Sequence, residues 1–344
     1  MKHYLLPNTG NYYKASLHTH TSLSDGQLSP EEAKRKYMDL GYSIVAYTDH
    51  EILVPHNDLT DESFLAITSF EVSVSEQHHG AEGAKKCYHL NLYAKDPART
   101  DSAVFSMRYV WNDRMKALVA ENAKSTDYRR FYSTEAVNDL IRTANGDGFL
   151  VSYNHPVWSL QRYPDYIDLE GLWGIEVFNT GCFLGGWVET TQPFCDLLSK
   201  NKRLFPLCTD DSHKEADCGG GWVMVNADRL EYGAVMDSLE RGDFYSSTGP
   251  EIREFYVEDN VAHISCSEAV SITILSERRS VVHAGGSAEN PLTEVTLDLS
   301  RYLSRTNNVD FHPAKPYIRL EIIDKYGKTA YTRAYEHSEF REGN

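Results

Sequence analysis

The sequence predicts an α/β unit, either a barrel or a layered sheet, followed by a smaller all-β unit. Two features predict it. From about residue 14 to 245, short apolar runs alternate with longer segments of helical period, the pattern of parallel strands joined by helical crossovers. Beyond Gly242-Asp243-Phe244-Tyr245-Ser246-Ser247-Thr248-Gly249-Pro250 the texture changes to short alternating runs typical of hairpins and sandwiches. A length of 344 residues suits one barrel-sized domain plus a smaller one. The boundary is placed between residues 249 and 250, giving units 1–249 and 250–344.

Seven strands are expected in the first unit: Ala15–Leu17, Ser43–Tyr47, Leu65–Phe70, Tyr88–Tyr93, Phe149–Tyr153, Gly174–Phe178 and Leu204–Cys208. Ser29-Pro30-Glu31-Glu32 reads as a helix start, with Ser as the N-cap, Pro at the first helical position and acids in the first turn. Gly41 is its stop. Ser133-Thr134-Glu135 opens a second helix that runs to Asn145-Gly146, and residues 102–124 read as a helical excursion over one end of the barrel. In the second unit, Glu254–Val257, Ser271–Leu275, Glu294–Leu297 and Tyr317–Ile323 read as strands, with turns at Gly285-Gly286 and Asp324–Lys328.

With 41% hydrophobic and 24% charged residues, the chain can bury a sizeable core without disulfides. Its net charge of -16 repels polyanions at long range and disfavours a long nucleic acid as partner. The start of the chain lacks the pattern of a secretory signal, and no apolar run approaches a membrane span. Six cysteines without a C-x-x-C pair fit small buried hydrophobes in a reducing compartment, so the expected location is the cytoplasm.

Histidine carries the chemistry. His18-Thr19-His20 ends the first strand, and residues at i and i+2 of an extended chain point to one side, so both imidazoles can reach one ion. Ser24-Asp25-Gly26 follows on the next turn. The other strands end in the same kinds of residue: Thr48-Asp49-His50 after the second, Glu71 after the third, His89 within the fourth, Asn154-His155-Pro156 after the fifth and Thr209-Asp210-Asp211-Ser212-His213 after the seventh. In α/β barrels such ends converge on the ligand-binding face. Imidazole and carboxylate without thiolate suit zinc, manganese or iron, and a carboxylate such as Glu71 can bridge two ions.

Through these motifs, roughly residues 14 to 250 resemble the polymerase and histidinol phosphatase (PHP) superfamily. The resemblance implies a distorted seven-stranded, TIM-like β/α barrel with a trinuclear metal centre, followed here by a sandwich-like β module. The ligands it implies are His18, His20, Asp25, His50, Glu71, His89, His155, Asp211 and His213, with Glu71 as a bridge. Asp25, Glu71 and His213 are the members expected to act in catalysis. Asp49 and Asp210 are expected to orient imidazoles or water. Asp211 is preferred to Asp210 because D-x-H is the family spacing and sets both side chains on one side of an extended segment. Asp25 matches the family's small-molecule branch, whereas the histidinol phosphatase branch carries His there.

The expected function is hydrolysis of phosphate esters in a small phosphorylated metabolite or nucleotide, by a metal-bound hydroxide at a di- or trinuclear site holding two or three divalent ions. Exonuclease or oligonucleotide-trimming activity is one alternative, and a non-catalytic metal-binding or glycan-binding protein another. Several features read as structural or surface groups: His78-His79 as a loop, Tyr128-Arg129-Arg130 as a solvated basic patch, and the 22 tyrosines. Glu176 reads equally as an acid at the barrel mouth or a partner for a core cation. Gly219-Gly220-Gly221 lacks the strand and helix that would frame a phosphate cradle.

Overall fold

The structure, a computed structural model, describes residues 1–76, 85–119, 123–277, 281–305 and 315–340. In chain order the first elements are β1 (His3–Tyr4), β2 (Asn11–Ser16), α1 (Pro30–Asp39), β3 (Ile44–Tyr47), β4 (Leu65–Ser75), β5 (Cys87–Ala94), α2 (Asp113–Leu118), α3 (Thr134–Gly146) and β6 (Phe149–Tyr153). Next come α4 (Tyr163–Tyr166), β7 (Gly174–Asn179), α5 (Thr180–Leu184), α6 (Gln192–Ser199), β8 (Phe205–Thr209), β9 (Trp222–Ala227), α7 (Tyr232–Arg241) and β10 (Phe244–Ser247). The last part contains β11 (Ile252–Glu258), β12 (Val261–Ala269), β13 (Ser271–Ser276), β14 (Val282–Gly285), β15 (Leu292–Asp298), α8 (Ser300–Arg305), β16 (Tyr317–Ile323), β17 (Thr329–Tyr331) and β18 (Tyr335–Glu336).

Strands β2 to β8 lie side by side in sequence order within one large sheet. From β3 to β8 they are buried along nearly their whole length, as strands covered on both faces must be, while β2 is buried only at its end. α1 begins as its residues dictate: the Ser29 side chain accepts from Glu32 N, the Glu32 carboxylate returns to Ser29 N, and Pro30 fills the first turn. α3 begins likewise, on the Ser133 side chain, and buries Val137, Leu140, Ile141 and Ala144.

The expectation of parallel strands throughout is corrected at β5, which runs antiparallel to both β4 and β6. Only residues 76–86 separate β4 from β5, too few for a crossover helix, and an antiparallel partner needs no more. Nor do the seven strands form a closed ladder of their own. β2 takes β9 as its second neighbour, antiparallel, and β9 leads on to β10. Beyond the strand ends, however, Asp211 N donates to His18 O and His20 N donates to Ser212 O, so the continuations of β2 and β8 meet. The helical excursion over 102–124 is corrected too. It is largely irregular, with one 3-10 turn at Met107–Tyr109 and the short α2, because Val104, Phe105 and Val110 are buried and β-branched and aromatic residues favour helix weakly.

The C-terminal strands divide between two sheets. β1, β11, β12 and β15 form one of four strands, while β14, β13, β16 and β17 continue the large sheet through β10. Alternating burial along β12 and β13 marks the half-buried strands. Ile252, Phe255, Ile264, Ile272, Leu320 and Tyr335 from both sheets join one core cluster. α8 is a helix within the stretch expected to be all-β. All six cysteines are free, four of them buried. Among the described residues no helix is long and apolar enough to cross a membrane.

Candidate metal centre

All nine residues expected as ligands converge, seven from beyond the strand ends and two, Glu71 and His89, from within β4 and β5. Glu71, 1% exposed and in the middle of β4, stands at their centre. Its carboxylate oxygens lie 3.0 Å from His50 Nδ1, 3.1 Å from His89 Nδ1, 3.4 Å from His20 Nε2 and 3.5 Å from both His18 Nε2 and His155 Nε2. Asp211 Oδ1 lies 3.1 Å from His20 Nε2 and 3.2 Å from His18 Nε2. Asp25 closes the opposite side, 3.5 Å from His213 Nε2 and 3.7 Å from His20 Nδ1 and His50 Nε2. Asp25 and His213 are the members most open to solvent, at 37% and 39% of their side chains.

Backbone placement explains the convergence. Gly26 allows the turn carrying Asp25 to fold back tightly, since a Cβ there would stand 2.4 Å from His20 O. Asp211 sits at φ 50° and His155 at φ 26°, both in the left-handed region that side chains other than glycine seldom adopt. The extended geometry expected for Asp211-x-His213 is therefore corrected, although the Asp211 carboxylate reaches the cluster. Asp210 takes no place beside an imidazole. It is buried and accepts from Gly219 N, Gly220 N and Gly221 N at 2.7–3.0 Å and from Thr180 Oγ1 at 2.7 Å. The glycine run is thus a cradle for this carboxylate.

Three further residues hold the ligands in place. Glu176 accepts from His18 Nδ1 at 2.7 Å and from His155 N at 2.9 Å, so Nε2 of His18 faces the cluster. This favours the mouth reading of Glu176. Asn154 donates to Glu71 Oε1 at 2.8 Å and itself accepts from Ser152 Oγ, a role the sequence reading did not assign. The N-H-P motif contained that signal. Asp49, expected to orient imidazoles, instead accepts from Thr21 and Ser24 and fastens the chain between His20 and Asp25.

Arg130 is another correction, because it is 9% exposed and not solvated. Its Nη1 donates to both oxygens of buried Glu51, at 2.6 and 2.7 Å, and its guanidinium lies over the Tyr109 ring. Glu51 follows His50 directly and cannot escape the interior, so a cation must come to it. Arg129 remains exposed and His78-His79 lie outside the described residues.

The electrostatics follow from crowding opposite charges in a dry interior. Burial drives the Glu71 carboxyl up, but the imidazoles of His89, His50 and His18 outweigh it and hold it well below the usual carboxylate range. Asp211 is held low in the same way, burial being overcome by His18, His20 and His155. Burial lowers His50 to about 3, with His20 and His89 adding to the effect. His213 is lifted to about 9 against its burial, first by the Asp25 hydrogen bond and then by Asp211.

The donor set fits divalent cations. His18 Nε2 and His20 Nε2 point at one another 3.1 Å apart, and buried His20 Nδ1 and His50 Nδ1 have no hydrogen-bond partner. The His50 nitrogen meets Glu71 at an angle unsuited to a hydrogen bond. Four groupings bring donor atoms within 4.8 Å of one another: His20 with Asp25, His50 and His213; His18 with His20 and Asp211; His50 with Glu71 and His89; His18 with His155 and Glu176. Imidazole nitrogens and carboxylate oxygens aimed inward without thiolate are a borderline-metal environment.

No family model and no curated protein matches the chain. Solved structures do. A two-domain protein from Bacteroides vulgatus, described as containing a predicted PHP-like metal-dependent phosphoesterase, aligns over 96% of this chain and 98% of its own at 14% identity and a TM-score of 0.44. An amidohydrolase from Chromobacterium violaceum aligns over 67% and 96% at 16% identity and a TM-score of 0.37. A lesion-specific endonuclease from Pyrococcus furiosus aligns over 67% and 56% at 12% identity and a TM-score of 0.39.

Two substitutions test how the surroundings support the centre. Arg130→Met strands the Glu51 carboxylate and should destabilise the fold by about 3–5 kcal/mol in urea unfolding; a loss under about 1 kcal/mol would show the pair to be dispensable. Gly221→Ala places a Cβ 2.7 Å from Thr209 O, so backbone must move. It should cost about 1–3 kcal/mol and lower bound metal, and wild-type values of both would contradict the cradle.

Proposed function

We propose that the chain is a metal-dependent phosphoesterase acting on a small phosphorylated metabolite or nucleotide, with two or three divalent ions, zinc, manganese or iron, held by the nine residues around Glu71. The observation that carries this reading is the carboxylate of Glu71 standing within 3.5 Å of five imidazoles in a buried site. The proposal treats strands β2 to β8 as a distorted barrel, residues 1–249 as the catalytic unit and 250–344 as an appended β module, and places the protein in the cytoplasm.

Each residue has a task set by its position. Asp25, His50 and His213 would hold one ion, His18, His20 and Asp211 a second, and His89 with His155, both beside Glu71 Oε1, a third. Ions of this kind acidify bound water and offset charge on phosphoryl oxygens. Glu71, 1% exposed, would serve by holding neighbouring ions together. Asp25 and His213, the members most open to solvent, are where substrate would meet the centre. Glu176 and Asn154 keep His18 and Glu71 aimed inward. Lys214, beside His213 in the same cleft, supplies a cation for an approaching phosphate.

Metal analysis of the purified protein should give two to three equivalents, lost together in His20→Ala. With zinc or manganese present, p-nitrophenyl phosphate and members of a metabolite panel should be hydrolysed in a chelator-sensitive way. A metal count near zero after gentle purification would sink the centre. A full complement without turnover of any phosphate ester would leave a metal-binding protein that is no hydrolase.

A further inference from the structure

A cleft of about 240 Å³ opens directly onto Asp211 and His213, with Lys214 and Asp217 beside them and an apolar wall facing them. Trp158, Cys182, Leu184 and Trp187 line it, with Lys214 at the edge nearest His213. The two indoles are 41% and 42% exposed, and Leu184 is 55% exposed, so this is uncovered apolar surface against a highly charged centre. A single exposed aromatic means little, but a pair facing one cleft beside reactive groups marks a place for a ligand.

The Trp158 indole and the Trp187 backbone are held in position. The Trp158 ring packs edge-on against His155, with centroids 4.9 Å apart, and lies 5.6 Å from His89. Its backbone N–H and that of Val157 each donate to the Glu189 carboxylate at 2.9 Å. Glu189 is itself 6% exposed and stands two residues after Trp187, so it clips the two tryptophan-bearing loops together. Trp187 N donates to Cys182 O at 2.9 Å, closing its own loop. A buried carboxylate spent on two loop amides is a costly way to hold a surface loop, unless what the loop carries must stay in place.

We propose that Trp158 and Trp187 form a subsite for a flat aromatic ring joined to the phosphate, so that the preferred substrates are phosphate esters bearing a single ring. The proposal rests on the reading of the adjacent cluster as a phosphate-binding metal centre. The volume excludes large occupants, since pockets for drug-sized ligands begin at about 300 Å³. The lining disfavours a sugar, whose hydroxyls would need several donors and acceptors. Of the two carboxylates that line the cleft, Asp211 faces His18 and His20, and Asp217 already accepts from His213 N and Lys214 N. Indole faces take an aromatic ring by stacking, with little loss of freedom on either side.

Binding of two non-hydrolysable probes tests this without relying on turnover. The full chain supplied with zinc is titrated calorimetrically with phenylphosphonate and with methylphosphonate, which share the anionic group and differ in the ring. Wild type should bind the phenyl compound about tenfold more tightly. In Trp158→Ala/Trp187→Ala the preference should fall to near unity while methylphosphonate binds as before, and in Trp158→Phe/Trp187→Phe most of it should return. Equal affinities in wild type, or a preference that survives the double alanine change, would overturn the ring subsite and leave the metal centre standing. Failure of both probes to bind wild type would overturn the subsite together with the reading it rests on.

Discussion

One buried carboxylate organises this molecule. Glu71 lies in the middle of a sheet strand where water cannot reach it, and a charge so placed is tolerated only when opposite charge is brought to it. The five imidazoles that gather round it arrive from four separate chain segments, so its demand fixes where those segments must meet. The surrounding polar groups serve the same demand. Asn154 donates to Glu71, Glu176 steers His18, Asp49 ties the chain between His20 and Asp25, and Asp210 draws in the glycine run that follows His213.

The arrangement separates holding from reacting. The deep members are packed against one another out of reach of solvent, Glu71 and Asp211 among the imidazoles. Asp25 and His213 sit at the rim, half open, where a reacting group can reach them. Beside them the surface turns abruptly apolar at Trp158 and Trp187, so polarity changes within one residue's reach. A site built this way can grip an anionic group in one half and judge what is attached to it with the other.

Much of the ligand set was legible because strand ends are legible. A short apolar run followed by His, Asp or Glu places that side chain at the rim of a sheet, and five repetitions left few other meanings. The caps of α1 and α3 were equally plain, since Ser29 and Ser133 act through near neighbours. What stayed hidden depends on distance along the chain. Nothing local in Arg130 says that it will meet Glu51, 79 residues away, and read alone it looks like a surface cation. The left-handed backbone at Asp211 has no sequence mark either. The reversal at β5 is different: with strands expected to end at Phe70 and restart at Tyr88, seventeen residues stood free for a crossover, and only the longer observed β4 shortens that connection.

The pairing of β2 with β9 carries a consequence for how the protein is made. Asn11 lies opposite Ala227, and His3 opposite Val257, so these strands wait during synthesis for partners encoded more than two hundred residues later. Such distant pairings close slowly, and an unpaired strand edge in the interval is an invitation to wrong partners. The histidines next to β2 share that wait, because Asp211 and His213 emerge only near the end of the same interval. During synthesis the nascent chain thus carries His18 and His20 as ordinary side chains, and the centre is completed late, as a closing event of folding.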